Sequence, residues 1–123
     1  MRKTLYIIIG ISLLLLISCG PQADAEDLVE DFMEKNIKEG LKPRSLHFTD
    51  IDSTHAITDS IVISMRQQAK QAVRYQGNIK YAPDEPFHKL IITRVRYRLD
   101  DEECSDTYYL DMGLTRVVAF KEN

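Results

Sequence analysis

A change of hydrophobic period along the chain most constrains what this protein can fold into. Within residues 24–41 and 58–75 the apolar side chains recur every three or four positions, which predicts two amphipathic helices. From Lys89 to Leu99 they recur at every second position, which predicts a half-buried strand. Helices combined with neighbouring antiparallel strands are typical of α+β domains, so we expect an α+β fold.

The remaining elements follow from turn-forming residues between short apolar runs. Pro43 ends the first helix, and Thr58 or Asp59 can cap the second. Two tight connections join the last three strands and predict an antiparallel meander. The simplest packing lays the helices on a curved antiparallel sheet. The expected elements are a helix over 24–41, a strand over 44–51, a helix from 58 to about 75, and strands over 89–99, 104–110 and 115–120. Turn-forming residues at 50–54 and a loop over 82–86 separate them. Arg66, Lys70 and Arg74 form a basic row, four residues apart, on a face of the second helix other than its apolar stripe.

This layout resembles the NTF2-like and cystatin-like domains of secreted bacterial proteins, and the resemblance implies a pocket between sheet and helix. If the first hairpin closes on a four-residue turn at 100–103, Tyr97 lies opposite Asp106 on the core face. A carboxylate in such a pocket can act as a base or bind a cation. The alternative is that Asp106 lies at the open end of the sheet, bonded to solvent, to Tyr97 or to a backbone amide, because one carboxylate without a partner base is no catalytic constellation.

The opposite face of the 89–99 strand carries Arg94, Arg96 and Arg98. Guanidinium groups in a row can bind carboxylates, phosphates or an acidic partner, because each presents a planar fork of donors. The alternative is a solvated sheet face, neutralised by Asp111 and by the acidic turn over 100–103, since polar residues point outward in any half-buried antiparallel strand. These three arginines are the candidate contact with a partner protein.

The first 18 residues have the three parts of a secretory signal. The basic residues Arg2 and Lys3 precede an apolar stretch from Leu5 to Ile17, and the small residue Ser18 follows. This stretch is shorter than the roughly 20 apolar residues that a membrane-spanning helix needs. Two alternatives to a lipoprotein signal remain: an uncleaved anchor, and an ordinary secretory signal that a cysteine follows by chance.

The tetrapeptide Leu16-Ile17-Ser18-Cys19 resembles the lipobox of a bacterial lipoprotein precursor. The resemblance implies lipidation of Cys19, cleavage after Ser18 and acylation of the new amino group. Two or more buried acyl chains hold a protein stably, so the membrane would be its partner. Gly20 follows the cysteine where inner-membrane lipoproteins often carry Asp, and the resemblance therefore implies the outer membrane.

The predicted processing divides the chain into a signal peptide (1–18), a lipid anchor with tether (19–27) and a single domain (28–123). The tether has no uninterrupted acidic run, which favours the periplasmic face, with surface exposure as the alternative. All 19 acidic residues but only 14 of the 16 basic ones follow residue 18, which gives a net charge of −5 (14 − 19). That charge argues against a nucleic-acid partner, which attracts basic surfaces.

The sequence offers no recognisable catalytic motif. His47, His55 and His88 lack the close spacing of zinc ligands, so we expect no metal site, and we also expect no cofactor. Cys104 would be the only thiol once Cys19 is acylated. We expect it to be a small buried side chain whose pKa is raised by its acidic neighbours.

These observations predict a cell-envelope lipoprotein whose small domain contacts another protein or an envelope component, without enzymatic activity. The alternative is a small-ligand pocket protein, or an enzyme, with Tyr97 and Asp106 in the pocket.

Overall fold

The computed structural model describes residues 20–81 and 88–123. The predicted signal peptide, Cys19 and the predicted loop at 82–86 lie outside the described residues. Within the described ranges, five antiparallel strands form an open sheet, and two helices accompany it. This arrangement confirms the α+β fold. No helix in these ranges is both long and apolar enough to cross a bilayer. The elements are α1 (Pro21–Asn36), β1 (Arg44–Phe48), β2 (Asp52–Thr54), α2 (Asp59–Ala69), β3 (Leu90–Leu99), β4 (Glu102–Leu110) and β5 (Val117–Glu122).

The sheet has the strand order β1-β3-β4-β5, and β2 also pairs with β3. The predicted strand over 44–51 ends earlier, at Phe48, although the backbone N–H of Thr49 still donates to the carbonyl of Arg94 at 2.9 Å. Residues 52–54, predicted as part of a turn, pair with Leu90, Ile91 and Ile92. The C-terminal meander of β3, β4 and β5 forms as predicted.

Helix α1 packs on the core face of the sheet. Its fully buried side chains Ala25, Val29 and Met33 recur every four residues, so they form one stripe. The half-buried Phe32 ring meets the rings of Tyr108 and Phe120 edge-on, with centroids 5.7 and 5.5 Å away. These contacts bury the apolar face that the helical period predicted.

The bounds of α1 differ from the predicted 24–41. The helix begins at Pro21, because proline fits the first helical position, where the backbone N–H has no partner. It ends at Asn36, since Ile37 is extended and forms an isolated antiparallel bridge with Tyr75. Most of the segment predicted as a tether is thus helical.

Strands β3 and β4 form a hairpin whose turn is Asp100-Asp101, two residues long instead of the predicted four. Asp100 has a φ of 53°, which suits so tight a turn. Tyr97 therefore lies opposite Cys104, and Asp106 lies opposite Val95, so the predicted pairing of Tyr97 with Asp106 is wrong. A shift of two residues leaves every side chain on its predicted face, and Asp106 still points into the core.

Helix α2 packs along β5 and covers only one end of the outer sheet face. Its buried Val62 and Met65 share a cluster with Tyr109 and Ala119, on the side of the sheet opposite α1. The Thr58 hydroxyl accepts a hydrogen bond from the backbone N–H of Ile61 and begins the helix, as predicted.

The predicted extension of α2 to Tyr75 is wrong. After Ala69 the backbone N–H groups of residues 70–72 bond three residues back, which ends the helix in tight turns. Tyr75, whose side chain is 1% exposed, is thereby directed into the core and pairs with Ile37. Tertiary packing outweighs the helical pattern in this segment.

Candidate functional site

A polar cluster lies inside the core, centred on Asp106. Asp106 comes from the middle of β4, and its side chain has no exposed surface. Arg74 and Tyr75, from the segment that follows α2, reach it from one side. Tyr97 of β3 and Tyr108 of β4 complete the cluster, which we call the Asp106 network.

Every oxygen of the Asp106 carboxylate accepts a hydrogen bond. The Arg74 Nη2 group donates to Oδ1 over 2.5 Å, and the hydroxyls of Tyr75 and Tyr97 donate to Oδ2 over 2.5 and 2.6 Å. Tyr97 in turn accepts from Arg74 Nε at 2.8 Å, and the Tyr108 hydroxyl lies 2.5 Å from that of Tyr75. Because Tyr75 uses its own proton on Asp106, Tyr108 is the donor in the last bond.

Glu122 at the end of β5 holds the chain that delivers Arg74. Its carboxylate oxygens accept the backbone N–H groups of Val73 and Arg74 at 2.7 and 2.9 Å. The Arg74 Nε atom lies 3.3 Å from Glu122 Oε2, and Nη2 donates to the carbonyl of Ser105 at 3.2 Å. One guanidinium therefore links the segment after α2 to both β4 and β5.

Burial and hydrogen bonding shift the pKa of Asp106, and likewise that of Arg74, in opposite directions. Burial raises the pKa of Asp106 above its usual range, while hydrogen bonds from Tyr75 and Tyr97 and the charge of Arg74 oppose that shift. Burial disfavours the charge on Arg74, but its hydrogen bond to Tyr97 and the nearby carboxylate outweigh burial and raise the pKa of Arg74. Burial raises the pKa of Tyr75 and Tyr108 strongly, so both phenols are neutral donors.

The predicted pocket residues, Tyr97 and Asp106, are in contact, which is one of the bonds that the alternative named. The placement of Asp106 at the open end of the sheet is wrong, because its side chain has no exposed surface. Sequence reasoning missed Arg74, which it placed in a basic row on the surface of the second helix. The sequence did contain an indication of such a residue. A carboxylate on an apolar strand face needs a cation, and the three arginines of β3 lie on the opposite face, so the cation had to come from another element. Both carboxylate oxygens of Asp106 accept side-chain donors within the network, and the side chain has no exposed surface on which a ligand could bind.

The predicted contact residues Arg94, Arg96 and Arg98 are all exposed on the outer face of β3. They lie on the half of this face that extends beyond the cluster formed with α2. Neighbouring strands add further basic residues in register: Arg44 and His47 of β1 and Lys121 of β5. We call this set the arginine face: Arg44, His47, Arg94, Arg96, Arg98 and Lys121.

Several grooves open on the described surface. The first, of about 360 Å³, lies on the arginine face and is lined by Ser45, His47, Arg96, Tyr97, Arg98 and Glu103. A second, of about 600 Å³, lies where α1 ends, with Met33, Ile37, Leu41 and Leu46 among its walls. Of the three arginines of β3, Arg96 and Arg98 line the first groove, and none of the three lines the second.

The other candidate residues stay apart. Across residues 20–81 and 88–123, no three His, Cys, Asp or Glu side chains gather in a way that could hold a metal ion. Cys104 is a free thiol and 8% exposed. Burial is the largest cause of its raised pKa, and Asp106 and Glu102 add to it while Arg74 opposes. The predicted direction of that shift is confirmed, although burial outweighs the acidic neighbours.

Comparison of the chain with protein-family models, with curated proteins and with solved structures finds no match.

Proposed function

We propose that this protein is a cell-envelope lipoprotein whose folded domain binds an acidic partner protein through the arginine face. The lipid anchor is Cys19, and the expected location is the periplasmic face of the outer membrane. The observation that carries the binding role is the exposed row of Arg94, Arg96 and Arg98 on a part of the sheet that α2 leaves open.

The distribution of charge supports this proposal. Helix α1, which packs on the other side of the sheet, contains six acidic residues and one lysine. The arginine face contains four arginines and Lys121, and its acidic neighbours include Glu103 opposite Arg98 and Asp52 opposite Ile92. Five of the 14 basic residues that follow residue 18 lie on this one face, and together they produce a local positive field that attracts and orients an acidic partner.

The alternative of a ligand pocket around Tyr97 and Asp106 has no comparable support. Phe32 packs against Tyr108 and Phe120 between the helix and the sheet, and the carboxylate of Asp106 already accepts three side-chain donors. A general base must reach a substrate proton, and this carboxylate has no exposed surface from which to do so.

Metabolic labelling with a clickable palmitate analogue tests the anchor. We expect the wild-type chain to be labelled and to fractionate with membranes, and Cys19→Ser to lose both properties. Labelling that persists in Cys19→Ser, or unchanged fractionation, would contradict lipidation at this residue.

Cross-linking of the intact protein in membranes, followed by mass spectrometry, tests the partner. We expect Arg96→Glu to reduce recovery of an acidic envelope protein at least five-fold, on the order of 1 kcal/mol. Lys35→Glu is the matched control, because Lys35 is 70% exposed and lies on α1, away from the arginine face. Equal recovery with Arg96→Glu and with wild type would remove the arginine face as the contact.

A further inference from the structure

We propose that the 360 Å³ cleft between Arg96, Arg98 and His47 seats the carboxylate side chains of an acidic protein segment. This inference rests on the proposed function and narrows the arginine face to one site on it. Arg94 lies on the same face of the same strand but does not line the cleft, so the site is smaller than the charged row.

A bulge in β1 builds one wall of the cleft. His47 lies opposite Arg96, and Arg44 lies opposite Arg98, so β1 has two residues between these pairs where β3 has one. Ser45, within the bulge, has a φ of 56°, a conformation that side-chain-bearing residues seldom adopt. Bulges bend an edge strand and re-aim its side chains, and this one leaves space beside the two guanidinium groups.

The chemistry of the walls selects a carboxylate. Arg96 and Arg98 are two residues apart on one strand face, so their side chains start about 7 Å from one another and can hold one acidic group between them. The Tyr97 side chain points into the core, so the floor between them is main chain. Each guanidinium offers two parallel N–H donors that match the two oxygens of a carboxylate.

The carboxylate of Glu103 lies near Arg96 and would compete weakly with an incoming carboxylate for its guanidinium group. Its Oε1 atom lies 3.9 Å from Arg96 Nη1, and the two side chains are 69% and 63% exposed. An exposed pair at that distance contributes little, so an incoming carboxylate can displace it. Glu103 therefore presents, beside the cleft, the same chemical group that the proposed ligand would bring.

A protein segment fits this cleft better than an anionic bilayer does. A charged bilayer attracts a domain through its net charge, and the net charge of the predicted mature chain is −5 (14 − 19). A cleft bounded by side chains admits a narrow acidic segment and holds it at short range, where the overall charge of the domain matters less.

Fluorescence anisotropy with a fluorescein-labelled hexaglutamate peptide tests the site, with full-length protein in uncharged detergent at about 50 mM salt. We expect Arg96→Gln and Arg98→Gln each to weaken binding about ten-fold, because a charge-assisted bidentate contact is lost. We expect Arg94→Gln to change it less than about two-fold, and Glu103→Gln to tighten it about three-fold because the competitor is removed. Circular dichroism confirms that each exposed substitution leaves the fold intact.

The results of these measurements distinguish the cleft as the binding site from the wider proposal that the arginine face binds an acidic partner protein. Equal losses from Arg94→Gln and Arg96→Gln would overturn the cleft and leave the arginine face as a diffuse contact. Failure of the wild-type protein to bind the peptide, together with cross-linking that Arg96→Glu does not alter, would overturn both. Stronger binding to phosphatidylglycerol vesicles than to the peptide, sensitive to the same two arginines, would assign the site to the membrane and overturn a protein occupant.

Discussion

At the scale of single residues, we expect Asp106 to tolerate replacement less well than the other buried polar side chains of the described core, Thr93 and Thr107. It is ionisable, lacks exposed surface and accepts hydrogen bonds from Arg74, Tyr75 and Tyr97. Removing one partner of a buried ion pair leaves the other charge without compensation, which costs more than the pair itself contributes. The Asp106 network is therefore expected to govern stability rather than chemistry.

Asp106→Asn is expected to lower the free energy of unfolding by about 3 kcal/mol, because the amide presents a donor where the carboxylate accepted and leaves Arg74 without its counter-charge. Urea denaturation followed by circular dichroism measures this change. Glu34→Gln on the exposed surface of α1 is the control and should change the free energy by less than about 0.5 kcal/mol. A loss below about 1 kcal/mol for Asp106→Asn would show that the network contributes little to folding.

Asp111 supplies a pH-dependent contribution in the turn before β5. Its carboxylate accepts hydrogen bonds from the backbone of Thr115 and Arg116 at 2.8 and 2.9 Å and from the Thr115 hydroxyl. Burial raises the pKa of Asp111, but these bonds together outweigh burial and lower it below its ordinary value. A carboxyl group with a lowered folded-state pKa stabilises the fold above its unfolded-state pKa, and that contribution is lost as the pH falls through the folded-state value.

Asp111→Asn is therefore expected to destabilise the protein by about 1 kcal/mol at pH 7 and by less at pH 3. Because Asp106 contributes a pH dependence of opposite sign, the measured quantity is the difference between variant and wild type in urea midpoints at each pH. A difference that stays constant between pH 7 and pH 3 would contradict the role of the ionised carboxylate.

At the scale of elements, the β3–β4 hairpin depends on a turn residue with unfavourable geometry. Asp100 has a positive φ, whereas its neighbour Asp101 does not. A two-residue turn with positive φ at its first position favours glycine there. The acidic pair therefore closes the hairpin at a small conformational cost.

Asp100→Gly is expected to raise the free energy of unfolding by about 0.5 kcal/mol, because glycine adopts positive φ without a steric penalty. Asp101→Gly is the matched control and should lower it by about 0.5 kcal/mol, since glycine only adds flexibility there. Thermal denaturation of the two variants distinguishes them, and equal shifts of the melting temperature in the same direction would refute the turn assignment.

At the scale of the whole molecule, the folded domain begins close to the proposed anchor. Helix α1 starts at Pro21, and Gln22 bonds the backbone of Thr49 and Ile51 at 3.3 and 2.8 Å. Two residues span at most about 7 Å, so lipidation of Cys19 would hold this end of the domain against the bilayer surface. A partner of the arginine face would then have to be at the membrane as well.

A fluorophore on Asp50→Cys, beside the start of α1, is expected to be quenched strongly by nitroxide-labelled lipid headgroups. Insertion of about 20 Gly/Ser residues between Gly20 and Pro21 should reduce that quenching several-fold, because such a linker spans about 25 Å. Buried Cys104 and acylated Cys19 would leave the introduced thiol as the site of labelling. Equal quenching with and without the linker would contradict the close attachment.

The sequence by itself determined the fold class, the two faces of β3 and the core position of Asp106, because periodicity is a local property that fixes which side of an element each residue occupies. Only the tertiary structure decided which side chains contact one another. Arg74 reaches Asp106 because α2 stops at Ala69 and the following segment turns inward, and the bulge at Ser45 brings His47 beside Arg96. Helix ends, bulges and turn lengths depend on packing between residues far apart in the chain, and a local pattern carries no record of that packing.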